Sequence, residues 1–265
     1  MSAIKNNTRR DFFKKICLTS LAAFTSPHGI SPVEAAAKVQ RSDIKKLPPQ
    51  NLTFLFQGDS ITDGNQTRDN DWNHIMGHGY AYLIASRLWY DNADKGLMFI
   101  SKGVSGNKLS DLAARWQTDT LDLKPDVLNI LIGINHVLAI VKNWSIPTIA
   151  EFRGTYAQLL EHTGEVLPDT LIALCEPSRL PLGWTLEKPE VWKAELEPRR
   201  QIVRELAGQL NALFVNLLQP FIEACRKAPA KYWIWDGVHP MPAGHELIAR
   251  EWLSVVKNLL QFLNI

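Results

Sequence analysis

LTFLFQGDSIT, residues 52–62, decides how the rest of the chain is read. Leu52 to Phe56 is a short apolar run without the alternation of a half-exposed strand. It reads as a strand covered on both faces. Gly58-Asp59-Ser60 follows at once, so a hydroxyl stands just past the carboxyl end of that strand, and Gly58 permits a tight turn and close approach of backbone to a bound molecule. Similar runs recur at LMFI (97–100), VLNILI (127–132), LIALC (171–175) and LFVNL (213–217). Helical spacing fills the stretches between them, most clearly over 80–89, 109–121, 149–166 and 192–210, and a last amphipathic helix covers 247–263. This alternation predicts a parallel sheet with helices on both faces, and in such sheets sites form outside the carboxyl ends of the strands. Irregular stretches at 57–78, 176–192 and 228–242 are the places to look for function.

The first 37 residues stand apart. Arg9-Arg10 lies in TRRDFFK, a modest apolar run extends from Ile16 to Phe24, and Ala35-Ala36-Ala37 offers small residues for cleavage. The segment resembles a twin-arginine export signal, which predicts an exported, periplasmic or extracellular protein. The apolar run is too short to span a bilayer, which takes ~20 residues, and Cys17 sits in no lipidation box, so no membrane anchor is expected. Residues 38–51 read as a linker ending in Pro48-Pro49, and 52–265 as one domain. The leader takes five of the 29 basic side chains and two of the 27 acidic ones, leaving 24 against 25. The basic balance is therefore a targeting feature, and no stripe remains that would bind nucleic acid. Hydrophobic residues are 46% of the chain and charged ones 21%, a composition that excludes disorder. Cys175, inside an apolar run, reads as a buried thiol, and no Cys/His spacing suggests a metal or a cofactor.

Four blocks carry chemistry. The first is Ser60 with Asp59 beside it. The second is GVSGN (103–107), where Gly106 can turn its N–H into a site and Asn107 follows. The third is IGINH (132–136), where Asn135 can aim its amide at a developing oxyanion. The fourth is WDGVHPMPAGH (235–245), where Asp236 stands three residues before His239 and can orient its imidazole. Taken singly, each is an ordinary turn, cap or surface pair. Together, three end successive strands and the fourth precedes the last helix, so all can meet at one sheet edge.

The set resembles the SGNH (GDSL) hydrolase family. The resemblance implies a three-layer α/β/α sandwich, flavodoxin-like, with a central parallel sheet of about five strands, and ester hydrolysis without a cofactor or metal. It implies Ser60 as nucleophile, His239 as base and Asp236 as its partner. The oxyanion donors would be the N–H groups of Ser60 and Gly106 and the Asn135 amide. The third block departs from the usual Gly-x-Asn-Asp, since His136 follows Asn135; a His there alters how the loop is held or adds a titrating group beside the site. The nucleophile is not in a G-x-S-x-G elbow.

For substrate, the chain has nine tryptophans. Trp89, Trp116 and Trp252 fall at helical positions and are expected in the core. Trp72, Trp144, Trp184, Trp233 and Trp235 fall in or near site loops, where their rings would stack on sugars or pack the loops. Glu176 and Arg179, after the fourth strand, are candidate substrate contacts or an ion pair, and Asp59, Asn107 and His136 are further candidates. The polar loop at 65–74 favours a small acyl group, acetyl above all, on a carbohydrate. The alternatives are a lysophospholipase or thioesterase, for which PLGW (181–184) would begin an acyl channel, and a sugar-binding protein with an impaired site.

Overall fold

The computed structural model describes residue 47 and residues 50–69, 73–144 and 147–265. Five strands form one sheet: β1 (Thr53–Gly58), β2 (Met98–Gly103), β3 (Val127–Leu131), β4 (Leu171–Cys175) and β5 (Leu213–Val215). All neighbours are parallel, in the order β2-β1-β3-β4-β5. The chain leaves β1 in one direction to build β2, then crosses back to lay β3 on β1's other side. The end of β1 is therefore the point where winding reverses and a crevice opens. Gly58, Gly103 and Leu131 share one register at that end, so three strands stop level with one another.

Each strand feeds two cores through its period of two. Phe54, Phe56, Ala173, Cys175 and Val215 face helices α2 (Tyr80–Asp91) and α9 (Pro242–Val256). Leu55, Leu128, Ile130, Ile172 and Leu174 face α3 (Leu109–Ala114), α5 (Ile149–Val166) and α6 (Pro189–Gln209). This is the three-layer sandwich expected. Trp252 on α9 is fully buried, with its ring centre 5.8 Å from that of Phe56 and 6.3 Å from that of Phe54.

Five short segments escape hydrophobic periodicity. They are α1 (Ser60–Asp63), α4 (Ile134–Val141), α7 (Leu218–Ala224), α8 (Ala230–Trp233) and a 3-10 turn at Gly183–Leu186. The helix expected over 109–121 ends at Ala114 and continues as a wider π turn, Gln117–Leu121. The helix expected at 247–263 starts five residues earlier, at Pro242, whose ring pre-sets the first helical φ. Trp116 and Trp252 are core residues as expected, but Trp89 is 39% exposed, held at the rim by its Nε1–H to Leu97 O at 2.9 Å. Cys175 is buried, and both it and Cys225 are unpaired thiols. The leader 1–37 and Trp72 lie outside the described residues.

Candidate active site

Ser60 is the first residue of α1, directly past β1. Asp59 forms the junction: its Oδ1 accepts the Ile61 N–H at 3.1 Å, starting the helix where the strand stops. Asp63, at the end of the same turn, ties down the second block. Its Oδ2 accepts the Ser105 N–H at 3.0 Å and the Ser105 hydroxyl at 2.7 Å, and its Oδ1 accepts Arg68 Nη2 at 3.2 Å. Arg68 also donates to Gly103 O at 2.9 Å. The loop that presents Gly106 is thereby held to the turn that presents Ser60.

The late Asp-x-x-His segment arrives as a tight hairpin. Ile234 bridges Pro240 antiparallel, Trp235 N–H donates to His239 O at 3.1 Å, and Met241 N–H donates to Trp233 O at 2.8 Å. Asp236 sits at its tip, almost wholly buried. Its Oδ1 accepts the N–H groups of Val238 (2.9 Å) and His239 (2.7 Å), and its Oδ2 accepts His239 Nδ1–H at 2.6 Å. Gly237 adopts φ +97°, and a Cβ there would collide with Leu182 O and the Thr185 side chain. The 3-10 turn clamps the tip from outside, Trp184 N–H donating to Asp236 O at 3.0 Å and Leu180 N–H to Gly237 O at 3.1 Å.

His239 Nε2 then lies 2.8 Å from Ser60 Oγ, across 179 residues of sequence. With Nδ1–H committed to Asp236, Nε2 is left to accept the serine proton. Hydrogen bonding to Asp236 raises the His239 pKa against the opposing effect of burial, and the Asp236 and Asp59 charges raise it further. For Asp236, burial pushes the pKa up, but the bonds from His239 and Val238 outweigh it and the net shift is down. Asp59, 1% exposed, is raised to about 7 by burial, opposed by the Ile61 N–H and the His239 charge.

Three groups anticipated as donors have hydrogens to spare. Neither Ser60 N–H nor Gly106 N–H has an acceptor among the described residues. Gly106 holds φ +84° with open space where a side chain would be. Asn135, second residue of α4, gives one amide hydrogen to Asn107 O at 3.0 Å, which fixes the plane of the amide and leaves its other hydrogen available. Asn107 in turn accepts Arg115 Nε at 3.2 Å. Over His239 lies an aromatic wall. The Trp235 ring stacks on His239 at 6.1 Å and 25°, Trp184 meets His239 edge-on at 5.8 Å, and the two indoles touch at 6.2 Å. Both are largely exposed, at 56% and 41%.

Other anticipated contacts lie elsewhere. Glu176 is 2% exposed, and its Oε2 accepts the N–H groups of Leu217 (3.1 Å) and Leu218 (2.9 Å), holding the turn after β5. Arg179 packs its guanidinium 5.8 Å from the Trp192 ring centre. Asp59 is the cap of α1 and is turned inward. His136 is 1% exposed, edge-on to Phe152 at 4.9 Å, and burial, aided by the Arg199 and Lys108 charges, lowers its pKa to about 3. It is a neutral core ring beneath the Asn135 turn. Glu176, Asp59 and His136 are buried and present no face to a ligand, whereas Arg179 is half-buried and engaged with the Trp192 ring.

Sequence reading missed Asp63 and a buried relay on the α2 face of the sheet. There Cys175 Sγ donates to Asn129 Oδ1 (3.0 Å), Asn129 Nδ2 donates to Tyr80 Oη (2.7 Å), and Tyr80 Oη bonds Thr62 Oγ1 (2.9 Å) on the serine's own turn. Lone polar letters inside apolar runs, such as Asn129 in VLNIL, are the signal that would have found it. Among the described residues no group of His, Cys, Asp and Glu could hold a metal ion, and no helix is long and apolar enough to cross a membrane.

Residues 56–247 match the GDSL-like lipase/acylhydrolase family. An acetylxylan esterase of Geobacillus stearothermophilus is 32% identical over 213 residues, covering 77% of this chain and 93% of that protein. A solved structure described as a GDSL-like lipase of Parabacteroides merdae superposes with a TM-score of 0.76 at 34% identity, covering 81% of this chain and 99% of the other. The structure of the Geobacillus acetylxylan esterase gives 0.69 at 29% identity, over 78% and 94%. Two further neighbours are catalytic mutants of that esterase, in which a serine and an aspartate are replaced by alanine. The chain belongs to the GDSL-like lipase/acylhydrolase family and is a carboxylic ester hydrolase.

Proposed function

We propose that this protein is a serine esterase that removes short acyl groups, acetyl above all, from a carbohydrate, with Ser60, His239 and Asp236 as its triad. The observation that carries the reading is the continuous row from Ser60 Oγ to His239 Nε2 (2.8 Å) and from His239 Nδ1 to Asp236 Oδ2 (2.6 Å) at the open end of β1. His239 takes the Ser60 proton as Oγ attacks the ester carbonyl. The carbonyl oxygen becomes an anion facing the Ser60 and Gly106 N–H groups and the Asn135 amide; one such donor lowers the barrier by about 3–4 kcal/mol. Asp236 holds the Nδ1–H tautomer and stabilises the imidazolium, which then protonates the leaving sugar hydroxyl. Water, activated by the same His239, releases the acid and restores Ser60.

The acetyl and sugar parts of the proposal draw on two further supports. The Geobacillus relative is an acetylxylan esterase, and Trp184 and Trp235 offer exposed indole faces beside the base, suited to the apolar face of a pyranose ring. The resemblance of residues 1–37 to an export signal supports a setting outside the cytoplasm, where polysaccharide is met. The test is turnover of acetyl against octanoyl esters by the purified protein, followed by mass spectrometry of a panel of acetylated glycans. Faster acetyl turnover and loss of acetyl mass from at least one glycan are expected. Equal or faster octanoyl turnover would transfer the reading to a lysophospholipase or thioesterase.

A further inference from the structure

The hairpin that carries His239 has two faces, and the antiparallel bridge between Ile234 and Pro240 fixes which residue lies on which. Residues opposite one another across an antiparallel pair point to the same side, and the side alternates along each strand. Ile234 and Pro240 point into the protein, and both are buried. Trp235 and His239 point out together, consistent with their stacked rings. Beyond the bridge, Trp233 closes α8 and packs partly buried against the core, and the 2.8 Å bond from Met241 N–H to the Trp233 carbonyl oxygen ties the exposed Met241 to the end of that helix. The hairpin that carries His239 thus joins α8 directly.

At its far end is a groove of about 520 Å³ lined by Pro229, Lys231, Tyr232, Met241, Pro242 and Ala243. Tyr232 is 56% exposed, and its ring is held upright by an edge contact to Trp233 at 5.1 Å. Met241 is 37% exposed and unbranched, so it can shape itself to a ring laid across it. Lys231 adds three hydrogen-bond donors at the rim. A braced phenol, an adaptable apolar floor and a donor at the edge suit a flat ligand with an apolar face and a polar circumference.

We propose that this groove is a second subsite that holds a pyranose residue of the substrate chain, beyond the sugar whose ester lies at Ser60. The assignment rests on the carbohydrate reading above. It makes the enzyme a chain-reading esterase: the acylated sugar sits against Trp235 and Trp184, and a neighbouring sugar stacks on Tyr232. One aromatic stacking contact is worth roughly 3- to 10-fold in affinity.

The experiment compares kcat and KM on acetylated xylooligosaccharides from disaccharide to hexasaccharide, with para-nitrophenyl acetate and an octanoyl ester alongside. For the unaltered enzyme KM falls as the chain lengthens. Tyr232→Ala raises KM for the hexasaccharide roughly 3- to 10-fold more than for the disaccharide, with kcat moving little, and Tyr232→Phe restores it. Met241→Ala gives a smaller change of the same pattern. Calorimetric titration of the Ser60→Ala protein with deacetylated hexasaccharide loses affinity by the same factor when Tyr232→Ala is added, which separates binding from turnover.

A Tyr232→Ala effect equal on both chain lengths overturns the subsite while leaving the carbohydrate reading intact. A loss confined to the octanoyl ester makes the groove the seat of an acyl chain instead. A shift in oligomeric state without a chain-length effect makes it a contact between copies. Turnover of para-nitrophenyl acetate with none of any acetylated glycan overturns the carbohydrate reading, and the subsite with it.

Discussion

A serine hydroxyl at an ordinary pKa is a poor nucleophile, and in the proposed mechanism the His239 imidazole, 2.8 Å from Ser60 Oγ, changes that. Ser60→Ala should cut kcat on the order of 10⁴- to 10⁶-fold with the fold unaltered, read by stopped-time assays and circular dichroism. Asn135→Ala removes a single donor, and about 10²- to 10³-fold in kcat is expected. The pH profile carries more detail. His239 must be neutral to act as base, and its pKa is raised above the ordinary 6.5. The acid limb of kcat/KM should therefore have its midpoint above that value. Asp59 is raised to about 7 by burial, and its charge adds to the upward shift of His239 after the larger effect of the bond to Asp236. Asp59→Asn keeps an acceptor for Ile61 N–H while deleting the charge that holds a proton on His239. It should move the acid limb downwards, and an unmoved or raised midpoint would show that this charge does not reach the base. The proposed triad Ser60, His239 and Asp236 and the proposed donors Asn135 and Gly106 are marked in the sequence by strand ends and a short fixed spacing, and the structure brings Ser60, His239 and Asp236 into one hydrogen-bonded row. Glu176 and His136 misled because a sequence places a residue near a site without saying which way its side chain turns. Glu176 turns to two backbone N–H groups, and His136 turns into the core.

Among the elements, the hairpin over 233–241 is the most demanding. Its tip needs φ +97° at Gly237, with Leu182 O and Thr185 against the position of a Cβ. Gly237→Ala is expected to cost about 2–3 kcal/mol in urea unfolding and to lower activity further, because Asp236 would be displaced with the tip. Helix α2 has a different dependency. Its N-cap, Gly79, has no side chain, and the first N–H, that of Tyr80, is satisfied from α9 by His245 Nδ1 at 3.1 Å. Long helices such as α5 announced themselves by periodicity, and in the structure Thr148 and Glu151 start α5 with a reciprocal capping box. The four-residue turns α1 and α8 are too short to show a period, and they are the ones that carry Ser60 and Tyr232.

For the molecule as a whole, the buried imidazoles set the response to acid. His245 is lowered to about 4, by burial first and then by the charges of His78 and His239, and His136 is lowered to about 3. A histidine with a depressed folded pKa takes up its proton more readily when unfolded. The stability it contributes is complete above 6.5 and is lost as pH falls through 6.5 towards the folded value. These two imidazoles alone should accordingly lower the unfolding stability, read from urea curves, between pH 7.5 and pH 4.5. His239 and Asp59, whose folded pKa values are raised, act in the opposite direction over the same range, so the net drop is smaller than the imidazoles alone would give. His245→Asn should flatten the drop while lowering stability at pH 7.5. Trp252 spans the sheet face between Phe54 and Phe56, and Trp252→Ala should cost about 3–5 kcal/mol. The parallel sheet with helices on both faces was readable from the alternation of apolar runs with helical spacing. The relay through Tyr80, Asn129 and Cys175 was not, since three residues from three elements meet only once the sheet exists.

The bond between Ser60 and His239 has a consequence for how the protein comes into being. It joins residues 179 positions apart, and the later partner precedes little more than the final helix. A chain extended only as far as β5 would hold Ser60 without His239, and without α9, whose Trp252 covers one face of the sheet. On the proposed mechanism, esterase turnover is expected only once the chain has passed residue 239 and α9 has docked, and a split version of the protein, divided between β5 and the hairpin, would regain activity only when its two pieces find each other.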